Sequence, residues 1–158
     1  MATRAIICGS GLAGSGLFEG LEEVSVNTRW GAATVLRSGD CIMLPRHGYR
    51  SFTAPHLINY RANIAALAEL GASSIFAVNS VGSLKEGIAP GSLVVPHDVF
   101  CPWRRDTFQT ADPVKFTVPV VDAGLRATLV KLVMDQGCPV VDGGVYCQTL
   151  GQIGRAHV

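Results

Sequence analysis

Charge of either sign is scarce in this sequence and nowhere gathers into a run. Asp, Glu, Lys and Arg make up 16% of the residues, and 13 basic side chains against 12 acidic ones leave a net charge of +1. Such a chain has nothing with which to hold a nucleic-acid backbone by counterion release, so no nucleic-acid partner is expected. Long apolar runs are lacking too. Near the start there is one Arg and then only the short apolar stretch Ala5 to Cys8 before glycines, so neither a leader peptide nor a membrane helix is expected. There is no Cys-x-x-Cys pair, and no His stands at ligand spacing from Cys8, Cys41, Cys101, Cys138 or Cys147, so no metal site is expected. The cysteines, odd in number and widely spaced, read as buried thiols in a reducing compartment. That makes a cytoplasmic location the expectation.

Apolar side chains, by contrast, are plentiful: 48% of 158 residues, enough for one buried core and too many for a disordered chain. One globular domain follows. Short runs rich in Ile and Val alternate with two longer stretches of helical period, the pattern of an α/β fold with a mixed or mainly parallel sheet flanked by helices. The strand candidates are Arg4 to Cys8, Ala33 to Leu36, Cys41 to Leu44, Ser74 to Val78, Leu93 to Val95, Pro139 to Val141 and Val145 to Cys147. A first helix spans Asn59 to Leu70, with Asn59 as cap, Gly71 as stop and Ile64, Leu67 and Leu70 on one face. A second spans Ala123 to Gln136, with Asp122 as cap, Gly137 as stop and Leu125, Leu129, Leu132 and Val133 on one stripe. Pro102 to Val118 is the one long irregular segment, and long loops are often functional.

Gly9-Ser10-Gly11-Leu12-Ala13-Gly14 follows the first strand and matches the dinucleotide pattern Gly-x-Gly-x-x-Gly. A dinucleotide-binding oxidoreductase domain is therefore the rival reading. It requires a helix starting in the glycines and a carboxylate about twenty residues beyond, on the second strand. That region reads Asn27-Thr28-Arg29-Trp30-Gly31 and has none. The loop is either a plain strand-ending turn or an anion cradle, in which glycines open backbone N–H groups to phosphate and the Ser10 hydroxyl adds a donor.

Leu44-Pro45-Arg46-His47-Gly48 ends a buried strand, which puts Arg46 and His47 at the carboxyl edge where open α/β sheets bind ligands. Arg presents a planar fork to phosphate oxygens, and His adds a donor beside it. Taken singly, Arg46 reads as a surface ion pair and His47 as a turn residue bonded to backbone.

Ile6 to Leu12, Pro45 to Gly48, Asn59-Tyr60-Arg61-Ala62-Asn63-Ile64 and Val78-Asn79-Ser80-Val81-Gly82-Ser83-Leu84 resemble, in order and spacing, successive motifs of the methylthioadenosine and purine nucleoside phosphorylase family. Val95 to Asp98 and Gly144 to Thr149 extend the resemblance to about residue 151. It implies phosphate contacts from Ser10, Arg46, His47 and the backbone N–H of Ser80, with Val81 and Gly82 lining the purine side. Asn59 and Tyr60 read as mainly structural, His97 as a loop residue and His56 as lining the helix entrance. The family's sugar-contacting His has no counterpart here, where the nearest register holds Thr117, Val118 and Pro119.

The implied reaction is phosphorolysis of a purine nucleoside of the methylthioadenosine, methylthioinosine or inosine type, with inorganic phosphate as co-substrate and no other cofactor. The implied assembly is a homotrimer. The family's purine-activating residues lie in a half of the sequence without counterpart here. The Gly144 motif is followed by Gly151-Gln152-Ile153-Gly154-Arg155-Ala156-His157-Val158 instead of a Gly-Pro-Arg stretch, and Ile153 to Val158 matches one reading frame of a common sequencing adapter. Residues 1–152 are thus expected to be an incomplete nucleoside phosphorylase domain and residues 153–158 an adapter-derived tail. Alone, such a polypeptide is expected to expose apolar sheet edges, to be unstable and to be inactive.

Overall fold

The computed structural model describes residues 2–102, 106–109 and 118–148. The expected tail at 153–158, Thr117 and much of the loop beyond Pro102 lie outside the described residues. The chain divides into two compact units, Met1–Val81 with Asp106–Phe108, and Gly82–Arg105 with Gln109–Val158.

In the first unit, strands β1 (Thr3–Cys8), β2 (Glu22–Thr28), β3 (Gly31–Ser38), β4 (Cys41–Pro45) and β5 (Ala72–Val78) form one sheet in the order β2-β3-β4-β1-β5. β1 runs parallel to β4 and β5, whereas β2, β3 and β4 form an antiparallel meander. The sheet is therefore mixed, and less parallel than its Ile and Val runs suggest. Two-residue connections impose that: Arg29-Trp30 between β2 and β3, and Gly39-Asp40 between β3 and β4, allow only reversal of direction. The Thr28 hydroxyl braces the first turn, donating to the Gly31 carbonyl at 2.8 Å and accepting from the Trp30 N–H at 3.0 Å.

Alternation along the strands builds a core on each face of this sheet. On one, Ala5, Val35, Ile42 and Leu44 pack with Leu67 from helix α2 (Tyr60–Glu69). On the other, Cys8 and Leu36 pack with Phe18, which arrives from the segment after β1. Burying each Leu or Ile fully is worth about 1.5–3 kcal/mol. The α2 cap is as the sequence suggests: the Asn59 side chain accepts the Ala62 N–H at 3.0 Å, and it also donates to the Trp30 carbonyl at 2.8 Å, tying the helix start to the β2–β3 turn. Its buried stripe is Ala62, Ala66 and Leu67, while Ile64 lines a separate groove beside Trp30. Small residues sit inward here because the helix lies close over the sheet.

In the second unit β6 (Leu93–Val95) pairs in parallel with β8 (Val140–Asp142), and β7 (Asp98–Phe100) with β9 (Val145–Cys147). Helix α3 (Ala123–Asp135) is capped by Asp122, whose side chain accepts the Leu125 N–H at 2.8 Å. Val130 of this helix is buried and Leu125, Leu129 and Val133 of the expected stripe are half-buried, whereas Leu132 is exposed. Arg126 fastens the helix to the strands, donating to the Pro96 carbonyl at 3.2 Å and pairing with Asp142. His97 does structural work: its Nδ1 accepts the Gly144 N–H at 3.0 Å, holding the turn at Gly143 and Gly144, both of positive φ. Among the described residues no helix is long and apolar enough to cross a membrane.

The cysteines depart from the sequence reading. Cys8 is buried, Cys41 and Cys101 are half-buried, and Cys138 and Cys147 are exposed. Cys138 follows the helix stop, and Cys147 lies on a strand that among the described residues pairs on one side alone.

Candidate functional site

β4, β1 and β5 run parallel and end level with one another. Cys8 stands opposite Pro45 on one side and Val78 on the other. The next residues along each strand, Gly9-Ser10, Arg46-His47 and Asn79-Ser80, therefore leave the sheet at a single carboxyl edge.

Arg46 is the centre of that edge. Its backbone N–H donates to the Cys8 carbonyl at 3.0 Å, continuing the ladder by one residue. Its side chain then reaches across the end of β1: Nη1 donates to Oδ1 of Asn79, and Nε donates to Nε2 of His47 at 3.2 Å. Gly9 lies beneath, and a Cβ built on it would stand 3.6 Å from Nη2. Among the described residues no carboxylate pairs with Arg46, so it is not the surface ion pair that its sequence position alone allows. A half-buried guanidinium without an anion has both the charge and spare donors to take one.

His47 is half-buried. Its Nδ1 lies 3.0 Å from the Thr53 carbonyl, and its ring stacks on Phe52 with centroids 5.3 Å apart and planes 7° from parallel. The loop closes through Thr53 N–H to the His47 carbonyl at 2.6 Å and Gly48 N–H to the Pro45 carbonyl at 2.9 Å. Gly48 permits this with φ +87°, and a Cβ there would run into the Ser51 carbonyl.

Ser10 opens a single helical turn, α1 (Ser10–Ala13), with its side chain exposed and without a hydrogen-bond partner among the described residues. Ser80 is exposed just past β5, and Val81 is 61% exposed at the end of the first unit. Gly82 begins the second unit, with open space around it. The strand register thus gathers Ser10, Arg46, His47 and Ser80 at one edge, all within the first unit. A groove of about 400 Å³ between Trp30, Phe108 and α2 includes none of these residues.

Burial pushes the Cys8 thiol above its ordinary value, and the Arg46 charge beside it works in the opposite direction. Among the described residues no group of three His, Cys, Asp or Glu is placed to hold a metal ion.

The sequence model of the Phosphorylase superfamily matches residues 3–155, nearly the whole chain. The chain belongs to the Phosphorylase superfamily. Among similar proteins, the probable S-methyl-5'-thioinosine phosphorylase of Pseudomonas syringae pv. tomato is 37% identical, covering 96% of this chain and 66% of that protein. The protein of the same name in Methanocaldococcus jannaschii is 46% identical over 65% of this chain and 42% of its own length. The apo methylthioadenosine phosphorylase of Schistosoma mansoni superposes with a TM-score of 0.77 at 28% identity, covering 94% of this chain and 64% of that one. This member of the superfamily thus spans between 42% and 66% of the length of the two curated relatives.

The topology of this superfamily member also disposes of the dinucleotide rival. A helical turn does start in the glycines, but it has four residues, and the strand after it is β2, paired only with β3 in an antiparallel hairpin. A dinucleotide-binding unit requires a full helix crossing to a parallel neighbour. Sequence reasoning missed Asn79, Thr53 and Phe52 as members of the site. Asn79 was visible in the motif after β5, but as a turn residue. Phe52 and Thr53 carry no motif signal, because their part is played through the fold of one loop.

Proposed function

We propose that this chain carries the phosphate-holding part of an enzyme that splits a purine nucleoside with inorganic phosphate, releasing the free purine and a sugar 1-phosphate. The observation that carries this is Arg46: a half-buried cation with no carboxylate partner among the described residues, set across the ends of parallel strands where Ser10 and Ser80 also emerge. The anion is gripped by the Arg46 fork, the Ser10 hydroxyl and the Ser80 N–H, with His47 beside them and Val81 and Gly82 toward the purine.

In this reading a phosphate oxygen attacks the anomeric carbon, the bond from that carbon to the purine nitrogen breaks, and the electron pair leaves with the base, which takes up a proton. Charge on the sugar grows positive as the bond opens, and the bound dianion is both nucleophile and counter-charge. Fixing it in place is a proximity and electrostatic contribution of several kcal/mol, on the order of a well-placed oxyanion donor set. None of the described side chains is assigned the proton donation to the base. Phosphate is the co-substrate, and no organic cofactor or metal enters the scheme.

The names of the two curated relatives favour a 5'-methylthionucleoside with an oxopurine base, with methylthioadenosine and inosine as the neighbouring choices. A cytoplasmic homotrimer without membrane or nucleic-acid partners completes the proposal. The test is an assay of the protein expressed from its complete reading frame on methylthioinosine, methylthioadenosine and inosine. Equal amounts of purine and sugar 1-phosphate, formed only when phosphate is present, are expected. Release of base by water alone, or no release from any of the three, sinks the reading.

A further inference from the structure

β6 and β8 pair as far as Val95 with Asp142, and pairing resumes on β7 and β9 with Asp98 beside Val145. Between these two stretches stand Pro96-His97 on one side and Gly143-Gly144 on the other, where the regular ladder lapses. Pro96 has no N–H to give, and its carbonyl is taken by Nε of Arg126 at 3.2 Å. Gly143 and Gly144 both run at positive φ, +124° and +103°. His97 closes the gap from two of its atoms: its backbone N–H donates to the Gly144 carbonyl at 2.9 Å, and its Nδ1 accepts the Gly144 N–H at 3.0 Å. The Gly143 N–H donates to the Val95 carbonyl at 3.0 Å, and a Cβ built on Gly143 would stand 3.5 Å from the same Nδ1.

A carbonyl oxygen in the place of Nδ1 would accept at any pH. Imidazole accepts only while neutral, through the nitrogen that lacks hydrogen, so the hydrogen of the neutral ring sits on Nε2. Taking up a proton puts an N–H on Nδ1 as well and sets donor against donor at Gly144. Turning the ring over restores nothing, since an imidazolium carries hydrogen on both nitrogens. The contact is therefore present at the alkaline end of histidine's titration and lost as pH falls through it. The charged groups of that corner are committed elsewhere among the described residues: Asp142 of β8 is paired with Arg126 of α3, and the Asp98 carboxylate accepts the Val99 N–H at 2.7 Å. β9 brings the titratable Tyr146 and Cys147, further along the strand, and β6 brings none.

We infer that His97 is an acid-sensitive clasp: the neutral ring fastens the turn at Gly143-Gly144 to the β6–β7 corner, and protonation lets it go. The clasp lies within the second unit and uses no residue of the anion edge.

The test uses the protein expressed from its complete reading frame, titrated from pH 8 to pH 5. Proton–carbon NMR follows the His97 ring, while the Gly144 amide is followed by its shift and by its hydrogen-exchange protection relative to a free peptide at the same pH. A single midpoint shared by ring and amide is expected, with protection at Gly144 about tenfold lower at the acid end, the size of one hydrogen bond. His97→Asn sets an oxygen that does not titrate near the place of Nδ1, and should keep Gly144 protected down to pH 5. His97→Ala should show the low protection at every pH. A Gly144 amide indifferent to the ring's titration, a ring that takes up no proton in this range, or a loss that persists in His97→Asn overturns the inference. An equal loss at the amide of Val130, in the helix of the same unit, means that the whole unit loosens, and overturns it too.

Discussion

Arg46 and Asn79 are joined side chain to side chain although 33 residues separate them, and the strands they follow are not neighbours, since β1 lies between β4 and β5. The bond bridges the ends of three strands at once, because the Arg46 N–H is already on the Cys8 carbonyl.

Asn79→Ala removes one hydrogen bond from a half-buried guanidinium. The expected cost is about 0.5–1.5 kcal/mol of stability, together with a several-fold loss of phosphate affinity. Asn79→Asp restores the contact with a charge and competes with the anion, so it should bind phosphate more weakly than Asn79→Ala while melting at an equal or higher temperature. Calorimetric titration with phosphate and thermal melting check both. Tighter phosphate binding by the Asp variant than by the Ala variant would sink this reading of the pair.

Gly48 has φ +87°, and a Cβ on it would collide with the Ser51 carbonyl. Gly48→Ala is therefore expected to destabilise by about 1–3 kcal/mol or more, and to open the loop that seats the His47 ring. Denaturant unfolding measures the first effect and the His47 imidazole resonances the second. An unshifted midpoint contradicts the strain.

Asn59 performs two separable tasks. Asn59→Asp keeps an oxygen for the Ala62 N–H and loses the donor to the Trp30 carbonyl, whereas Asn59→Ala loses both. The Ala variant should cost about 1–2 kcal/mol, and the Asp variant less, since a carboxylate also suits a helix start. Unfolding midpoints that rank Asp below Ala would contradict the cap's contribution, since both variants lack the Trp30 tie and only Asp keeps the oxygen for Ala62.

The Cys8 thiol is raised by burial against a partial lowering by Arg46, from an ordinary value of 9.0. A raised folded value means that the folded state holds its proton longer than the unfolded chain. The contribution to stability is fully present below about pH 9.0 and is lost as pH rises through the higher folded value. Native protein at pH 8 should leave Cys8 unmodified by iodoacetamide while the exposed Cys138 reacts. The Cys8→Ala variant should lose less stability between pH 8 and pH 10 than wild type does. Mass spectrometry of the labelled chain and melting curves across that range decide it.

What the sequence disclosed was what local chemistry determines. Asn59 and Asp122 cap their helices through their own neighbours, and Gly71 and Gly137 both adopt positive φ just past the helix ends. The ends of β1, β4 and β5 were readable because runs of Ile, Val and Leu stop just before Gly9, Arg46 and Asn79. β2 was not readable: Glu22-Glu23-Val24-Ser25-Val26-Asn27-Thr28 has just two Val on its covered face, the composition of a strand that is wet on the other. β7, Asp98–Phe100, was not readable either, since it opens on a carboxylate and all three of its residues are exposed. The antiparallel meander was hidden as well, since strand direction is imposed by the two-residue turns between strands rather than by residues within them. At the site, Arg46 was legible from its position after a strand, but its bond to Asn79 was not, because that contact exists only once β1 is placed between the two. His47 was legible as part of an Arg-His pair; that both its nitrogens would be taken depended on how residues 48–53 fold back.

Level strand ends make the length of each strand part of the site's chemistry. One residue inserted within β1, β4 or β5 would carry the residue beyond it about 3.3 Å along the strand and turn its side chain to the opposite face. Arg46, Gly9 and Asn79 would then miss one another even with every side chain intact. Insertions and deletions should therefore be lethal to anion binding inside these three strands and mild in the turn at Gly39-Asp40. In this part of the molecule, spacing is as much a determinant of function as residue identity.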